Sequence, residues 1–171
     1  MQREIITYPN KILKQKSKDI ESFDKDLHTL LDDMYETMVS KNGIGLAAIQ
    51  INVPLNAFII NLPNKNDEQI KEDLVEIINP KFIEKKGSTI YTEGCLSIPE
   101  YYDDVDRAEW IEVEYFDRYG KKVLAQYDGL MAIAFQHECD HLLGELFIEK
   151  LSFLKRKKFE KEWKKKLKGS K

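Results

Sequence analysis

The first part of the chain has the hydrophobic spacing of an amphipathic helix. Within residues 24–41, apolar side chains recur at intervals of three and four residues, which places them on one helical face; they are Leu27, Leu30, Leu31, Met34 and Met38. Ser22 or Asp24 can cap the start of this helix. Asn42-Gly43 follows, and the glycine is predicted to supply the left-handed residue that commonly ends a helix.

Short strands are predicted in the middle of the chain. Three segments rich in Ile, Val and Phe are bounded by Pro, Gly, Asn or Asp, namely residues 56–61, 74–78 and 110–116, and this composition favours strands. The turn at residues 117–120 and the segment 123–127 make a hairpin with the third strand, which predicts an antiparallel sheet. The polar residues 64–73 predict an exposed loop.

Two further helices are predicted toward the end of the chain. After Asp128-Gly129 the spacing becomes helical as far as Gly144, a plausible stop, through Leu130, Ile133, Ala134, His137 and His141. A last helix begins near residue 151 and carries lysines around an apolar side made of Leu151, Leu154, Phe159, Trp163 and Leu167.

Composition suits one compact domain over residues 1–171, because 171 residues with 42% hydrophobic side chains can bury a core without disulfides. No apolar run has membrane-spanning length, and residues 1–4 lack the apolar stretch of a secretory signal. We therefore expect a cytoplasmic protein with no membrane partner. In a reducing compartment the two cysteines, Cys95 and Cys139, indicate metal or catalytic chemistry more than a disulfide.

Charge is divided unevenly along the chain. The net charge is −3, but residues 155–171 hold ten Lys and Arg against Glu160 and Glu162, a local charge of +8 that leaves −11 for the rest. A basic C-terminal helix or tail on an acidic body favours an anionic partner. We expect ribosome docking through its RNA; a solvated terminus that aids solubility is the alternative.

The segment Gln136-His137-Glu138-Cys139-Asp140-His141 contains the pattern H-E-x-x-H. Histidines four residues apart project from one helical face and can bind one metal ion. The glutamate between them can take a proton from a bound water and pass it to a leaving nitrogen. A charged helix surface with coincidental histidines is the alternative, but the apolar residues 130–135 predict a buried helix whose polar side chains need partners.

A hydrolytic metal site needs a third protein ligand and an open position for water. Phe147 stands where the metzincin pattern H-E-x-x-H-x-x-G-x-x-H has its last histidine, which excludes that class. The downstream glutamates lie too near the motif or in the lysine-rich tail. Cys95, in Glu93-Gly94-Cys95-Leu96-Ser97, is the better candidate, since a thiolate fits such a site.

Three segments together resemble the motifs of the peptide deformylase family, in the family's order: Gly-Ile-Gly-Leu-Ala-Ala-Ile-Gln at residues 43–50, Glu-Gly-Cys-Leu-Ser at 93–97, and residues 136–141. The resemblance extends from the N-terminal helix to about Ser152. It implies an α+β fold in which antiparallel β-sheets pack around a central metal-binding helix, with N-terminal and C-terminal helices. The loop at 64–73 looks longer than is usual, and Tyr101-Tyr102 departs from many relatives.

The resemblance also implies the reaction, removal of the formyl group from N-formylmethionine at the start of newly made polypeptides with release of formate. It implies that Cys95, His137 and His141 bind the metal and that Glu138 moves protons. The Gln50 side-chain amide and the Leu96 backbone N–H would then stabilise the formyl oxygen. By resemblance the metal is iron(II) in cells, although zinc, nickel or cobalt suits these ligands.

Residues around the metal motif are expected to bind the methionine side chain. Ile133 and Ala134 share a helical face with His137, and the expected substrate-binding set is Ile44, Gly45, Leu130, Ile133 and Ala134. Ordinary core packing is the alternative for each residue singly. Arg107 and Asp140 are expected to pair and brace the metal helix, by resemblance and because a buried carboxylate needs a partner; two solvated surface residues are the alternative.

Two other functions use the same features. An endopeptidase with this metal would need an extended cleft, and a catalytically inactive binding module would keep the fold without turnover. Release of formate from formyl-Met-Ala-Ser, with internal peptide bonds left intact, separates both from a deformylase.

Overall fold

The computed structural model describes residues 1–170, which form three α-helices and two antiparallel sheets. The first helix, α1, spans Lys25–Ser40, and the Asp24 carboxylate caps it by accepting from the N–H groups of residues 26 and 27. Its predicted apolar face is buried. The residue that adopts the left-handed conformation is Asn42, with φ of 55°, so the assignment of Gly43 to that position was wrong. Asparagine tolerates this conformation.

A five-stranded antiparallel sheet occupies the centre, in the order β1-β2-β3-β6-β7. Its strands are β1 (Gly45–Ala47), β2 (Ala57–Ile60), β3 (Val75–Lys86), β6 (Trp110–Phe116) and β7 (Lys122–Asp128). The predicted hairpin of β6 and β7 is confirmed. Strand β3 is longer than predicted because its polar second half pairs with β6, so pairing rather than hydrophobic pattern sets its length.

A two-stranded sheet of β4 (Thr89–Cys95) and β5 (Ile98–Arg107) lies beside the larger one. Sequence patterns placed Cys95 in a sheet region without resolving these strands. Most residues of β5 are polar and only three are buried, so it has no clear alternation of apolar and polar residues. The register is irregular between Gly94 and Cys95, next to the two-residue connection.

The second helix, α2 (Gly129–Leu142), lies between the two sheets, and its residues from Ala132 onward are buried. Phe135 of α2 packs edge-on against Phe58 of β2, with ring centroids 5.0 Å apart. Successive residues of a strand face opposite sides, so Phe58 joins the core around α2 while Ile59 joins the core under α1. The predicted α+β arrangement around a central helix is confirmed.

The last helix, α3 (Phe153–Gly169), covers one end of the fold. It buries Phe159 and Trp163 against Tyr8. Leu154 is 79% exposed, so its assignment to the apolar side was wrong. The helix begins at residue 153, and the face that carries Phe159 and Trp163 packs on the core. Leu154 therefore points away from the core.

The lysines of α3 are exposed, and Lys171, the final residue of the predicted basic tail, lies outside the described residues. No helix within residues 1–170 is both long and apolar enough to cross a membrane.

Candidate active site

Three predicted metal ligands meet between β4 and α2. Cys95 ends β4, and His137 and His141 lie one turn apart on α2. One ligand atom from each lies within 4.8 Å of the other two, and the Cys95 Sγ is 3.3 Å from the His141 Nε2. One sulfur and two imidazole nitrogens form a donor set that suits zinc, iron(II), nickel or cobalt.

The electrostatics of the site also suit a cation. Burial disfavours a charged His137, yet hydrogen bonds to Cys95 and Glu93 outweigh burial and raise the pKa of this imidazole. Burial lowers the pKa of His141 and keeps that ring neutral, the form that binds metals. These residues therefore fit a bound divalent cation.

Glu93 is a site residue that sequence reasoning missed. Its Oε1 accepts a hydrogen bond from the Nδ1 of His137 at 2.7 Å, which leaves the Nε2 of that ring for the metal position. Arg107 donates to the same carboxylate through Nε and Nη2, each at 2.8 Å. Burial opposes the charge of Glu93, but these partners lower its pKa to about 2. The available signal was its position in the sequence, two residues before Cys95 in the same short motif.

Arg107 and Asp140 do pair, as expected from the sequence. The Arg107 Nη1 donates to the Asp140 Oδ2 at 2.6 Å, and both side chains are buried. Because Arg107 ends β5, its guanidinium joins the small sheet to α2 through Asp140 and to His137 through Glu93. This buried network connects the small sheet to the helix that carries both histidines.

Glu138 lies beside the three predicted ligands, and its side chain is buried. Burial raises the pKa of Glu138 to about 7, which suits a group that both accepts and donates protons near neutral pH. Its Oε2 has no hydrogen-bond partner in the part of the chain that the structure describes. A Cβ added at Gly45 of β1 would stand 2.5 Å from the Glu138 Oε1, so only glycine leaves room for this carboxyl group.

Gln50 lies in a short 3₁₀ turn, Ala48–Ile51, that follows β1. The N–H of Ala47 donates to its side-chain oxygen at 2.9 Å. This bond orients the amide, so its Nε2 faces the Ser97 Oγ at 3.0 Å and the Cys95 Sγ at 3.5 Å. Leu96 occupies the connection after Cys95. Both residues therefore adjoin the metal position.

A cavity of about 820 Å³ opens onto this site. All the residues predicted to bind substrate line it: Ile44, Gly45, Leu130, Ile133 and Ala134. Arg3 and Tyr91, which were not predicted, also line the cavity, as does Tyr102. The volume is in the range of small-molecule and short-peptide sites.

One edge of the cavity is the edge strand β1. The N–H of Asn61 donates to the Ile44 carbonyl at 2.9 Å, so residue 44 directs its backbone toward β2. In an antiparallel ladder the next residue points the other way. The N–H and C=O of Gly45 therefore face away from β2.

The fold and the site define a metal-dependent hydrolase: a thiol and two imidazoles surround one position, with a carboxyl group that titrates near neutrality, at the end of a peptide-sized cavity. The chain belongs to the polypeptide deformylase family, whose family model matches residues 2–157. The chain is thus a hydrolase that removes the formyl group from N-formylmethionine of nascent peptides, in a metal-dependent reaction.

The chain is similar to relatives and to solved structures over almost its whole length. The chain is 56% identical to the peptide deformylase of Nautilia profundicola, over 96% of this chain and 95% of the relative. It is 51% identical to that of Wolinella succinogenes, over 97% and 98% of the two chains. A crystal structure of a peptide deformylase from Legionella pneumophila superimposes with a TM-score of 0.88 at 38% identity and covers 100% of this chain and 99% of that one.

Proposed function

We propose that Cys95, His137 and His141 hold one divalent cation at which the formyl group is hydrolysed, with Glu138 as the proton carrier. The observation that carries this assignment is the meeting of the three donor atoms within 4.8 Å beside a carboxyl group whose pKa burial raises to about 7. The whole chain, residues 1–171, acts as one catalytic domain.

When bound, a divalent cation polarises a carbonyl and lowers the pKa of a coordinated water from ~15.7 toward ~7. Glu138 accepts the proton of the attacking water as the water oxygen bonds to the formyl carbon. It then delivers that proton to the methionine nitrogen as the carbon–nitrogen bond breaks. Formate and a free amino terminus leave the site.

Negative charge grows on the formyl oxygen during the attack. The Gln50 Nε2 and the Leu96 backbone N–H are the donors we assign to it. Support comes from the Ala47 N–H, which holds the Gln50 oxygen and so fixes the direction of the amide nitrogen. A preorganised donor of this kind contributes roughly 3–4 kcal/mol to transition-state stabilisation.

The methionine side chain lies in the apolar end of the cavity, and the peptide that follows it runs along β1. Gly45 offers an N–H and a C=O on the free edge of that strand, and extended peptides commonly bind by adding to such an edge. The methionine pocket is formed by Ile44, Gly45, Leu130, Ile133 and Ala134.

The cation in cells is iron(II), and zinc, nickel or cobalt can take its place. With iron(II) bound, the Cys95 thiolate would make the centre prone to oxidation. Metal analysis after anaerobic purification checks this proposal: iron should predominate, and a preparation that contains only zinc yet has full activity would contradict it.

The protein works in the cytoplasm, where α3 docks on ribosomal RNA. Four exposed lysines of α3 form no ion pair within residues 1–170 and supply the positive surface: Lys161, Lys164, Lys165 and Lys168. Truncation is a poor test because Phe159 and Trp163 are buried. Replacing the four lysines by glutamate should abolish co-sedimentation with ribosomes; unchanged co-sedimentation would refute docking.

The test of the catalytic proposal is formate release from formyl-Met-Ala-Ser. Glu138→Ala should keep its metal and lose turnover by about 10²- to 10⁴-fold, the usual contribution of a general acid–base group. Glu84→Ala, which removes an exposed glutamate of β3, is the matched control and should retain full activity. Turnover by Glu138→Ala within a few-fold of wild type would exclude the proton-carrier role.

A further inference from the structure

One side chain in the connection between β2 and β3 hydrogen-bonds to the edge of the sheet that lines the active-site cavity. The Gln69 Nε2 donates to the Gly43 carbonyl at 2.8 Å and to the Asn61 carbonyl at 2.7 Å. Gly43 precedes β1 and Asn61 follows β2. A single amide group thus joins the two strands at the end of their ladder, next to the last backbone bond between them, from the Asn61 N–H to the Ile44 carbonyl.

Asn61 also donates a hydrogen bond to this loop, and further hydrogen bonds within the loop fix its shape. Asn61 is fully buried, and its Nδ2 donates to the Ile70 carbonyl at 2.8 Å. Within the loop, the Asn64 side-chain oxygen accepts from the N–H groups of Asn66 at 2.8 Å and Glu68 at 3.1 Å. The turn made by these bonds presents Gln69 to the strands.

The segment that Gln69 holds, residues 43–45, forms one edge of the active-site cavity. Gly43, Ile44 and Gly45 line it, and β1 has only three residues and one neighbouring strand. A short edge strand with a glycine at its start and another just before it loses much conformational freedom when it is ordered. Anchoring Gly43 reduces the freedom that a bound peptide would otherwise have to remove.

We propose that Gln69 is a positioning residue that holds the β1 edge ready for the peptide backbone behind N-formylmethionine. The inference rests on the proposed function in one respect, the placement of that backbone along β1. Gln69 does not contact the reacting atoms, so it affects the affinity for a peptide more than the chemical step. A substrate without a peptide after methionine should not depend on it.

The experiment compares formyl-Met-Ala-Ser with formyl-Met, using the metal-loaded full chain. Gln69→Ala and Gln69→Glu both remove the two donated hydrogens, and the glutamate keeps the side-chain volume. For the tripeptide, each should raise KM about 5- to 30-fold and leave kcat within about 2-fold, the loss expected for one or two hydrogen bonds. The kcat/KM for formyl-Met should stay within about 2-fold of wild type.

Asn66→Ala is the matched control, because Asn66 lies exposed in the same loop and is not bonded to the strands. It should leave both substrates unchanged. Unchanged tripeptide KM in Gln69→Ala, or an equal loss for both substrates, would overturn the role of Gln69. Failure of the proposed catalytic site would be seen separately, as full turnover by Glu138→Ala.

Discussion

Replacing Gly45 by alanine tests whether the place of the Glu138 carboxyl group controls turnover. The added Cβ would lie 2.5 Å from the Oε1, 3.1 Å from the Cδ and 3.2 Å from the Cγ of Glu138. Since ordinary contacts of a Cβ begin near 3.4 Å, the carboxyl oxygen must move by roughly 1 Å. All three of these nearest atoms belong to the Glu138 side chain and none to the backbone.

The expected effect on activity is much larger than the effect on stability. A displacement of about 1 Å in a catalytic group can lower turnover ~10²-fold, equivalent to about 2.7 kcal/mol in the activation barrier. Gly45 does not have the positive φ that disfavours alanine. Alanine at a permitted φ stabilises a protein by about 0.4–1 kcal/mol through the unfolded state, and this gain offsets part of the local strain.

We therefore expect Gly45→Ala to fold, bind metal in normal amount, and release formate from formyl-Met-Ala-Ser about 100-fold more slowly in kcat. The measurements are steady-state kinetics, metal analysis and urea denaturation on the same preparation. Gly169→Ala is the control, because a Cβ there meets no atom within 4 Å. A folded, metal-loaded Gly45→Ala protein with wild-type kcat would refute the reasoning.

The buried network and the predicted ligands lead to four other predictions. The pKa of Glu93 is lowered to about 2 from an ordinary 4.5. The stability that the charged carboxylate contributes, about 3 kcal/mol, is therefore present above pH 4.5 and lost as the pH falls toward 2. The difference in urea-unfolding free energy between wild type and Glu93→Gln should shrink over that interval, and a constant difference would contradict this prediction. Arg107→Ala should lose about 3–5 kcal/mol in the same assay, because two buried carboxylates lose their partner; a loss below about 1 kcal/mol would refute this. Cys95→Ala should purify with little metal and no activity. Iron-loaded wild type should lose activity in air, and nickel-loaded wild type should keep it. If the iron-loaded and nickel-loaded proteins keep their activity equally well in air, that result would count against iron chemistry at Cys95.

Much of the local structure was predictable because it depends on neighbours in sequence. The spacing of apolar residues in α1 and the turn between β6 and β7 are short-range patterns. Residues four apart in any helix share a face, so the histidines of H-E-x-x-H had to lie side by side once α2 formed. The same pattern failed at Leu154, because which face of α3 is buried depends on what the helix packs against.

Contacts between distant segments were decided only by the tertiary structure. The polar hairpin of β4 and β5 forms by pairing, which leaves no periodic signal in an exposed strand. Its position brings the Glu93 carboxylate to His137, 44 residues away in the chain.

The amino-acid sequence alone thus determined the helices, the antiparallel hairpin and the identity of the chemical groups, since these depend on residue type and local spacing. The tertiary structure decided the position of each group. It places Glu138 against Gly45, Gln69 across the ends of two strands, and Arg107 between two carboxylates. Such distances arise from packing among segments far apart in the chain, and no local pattern encodes them.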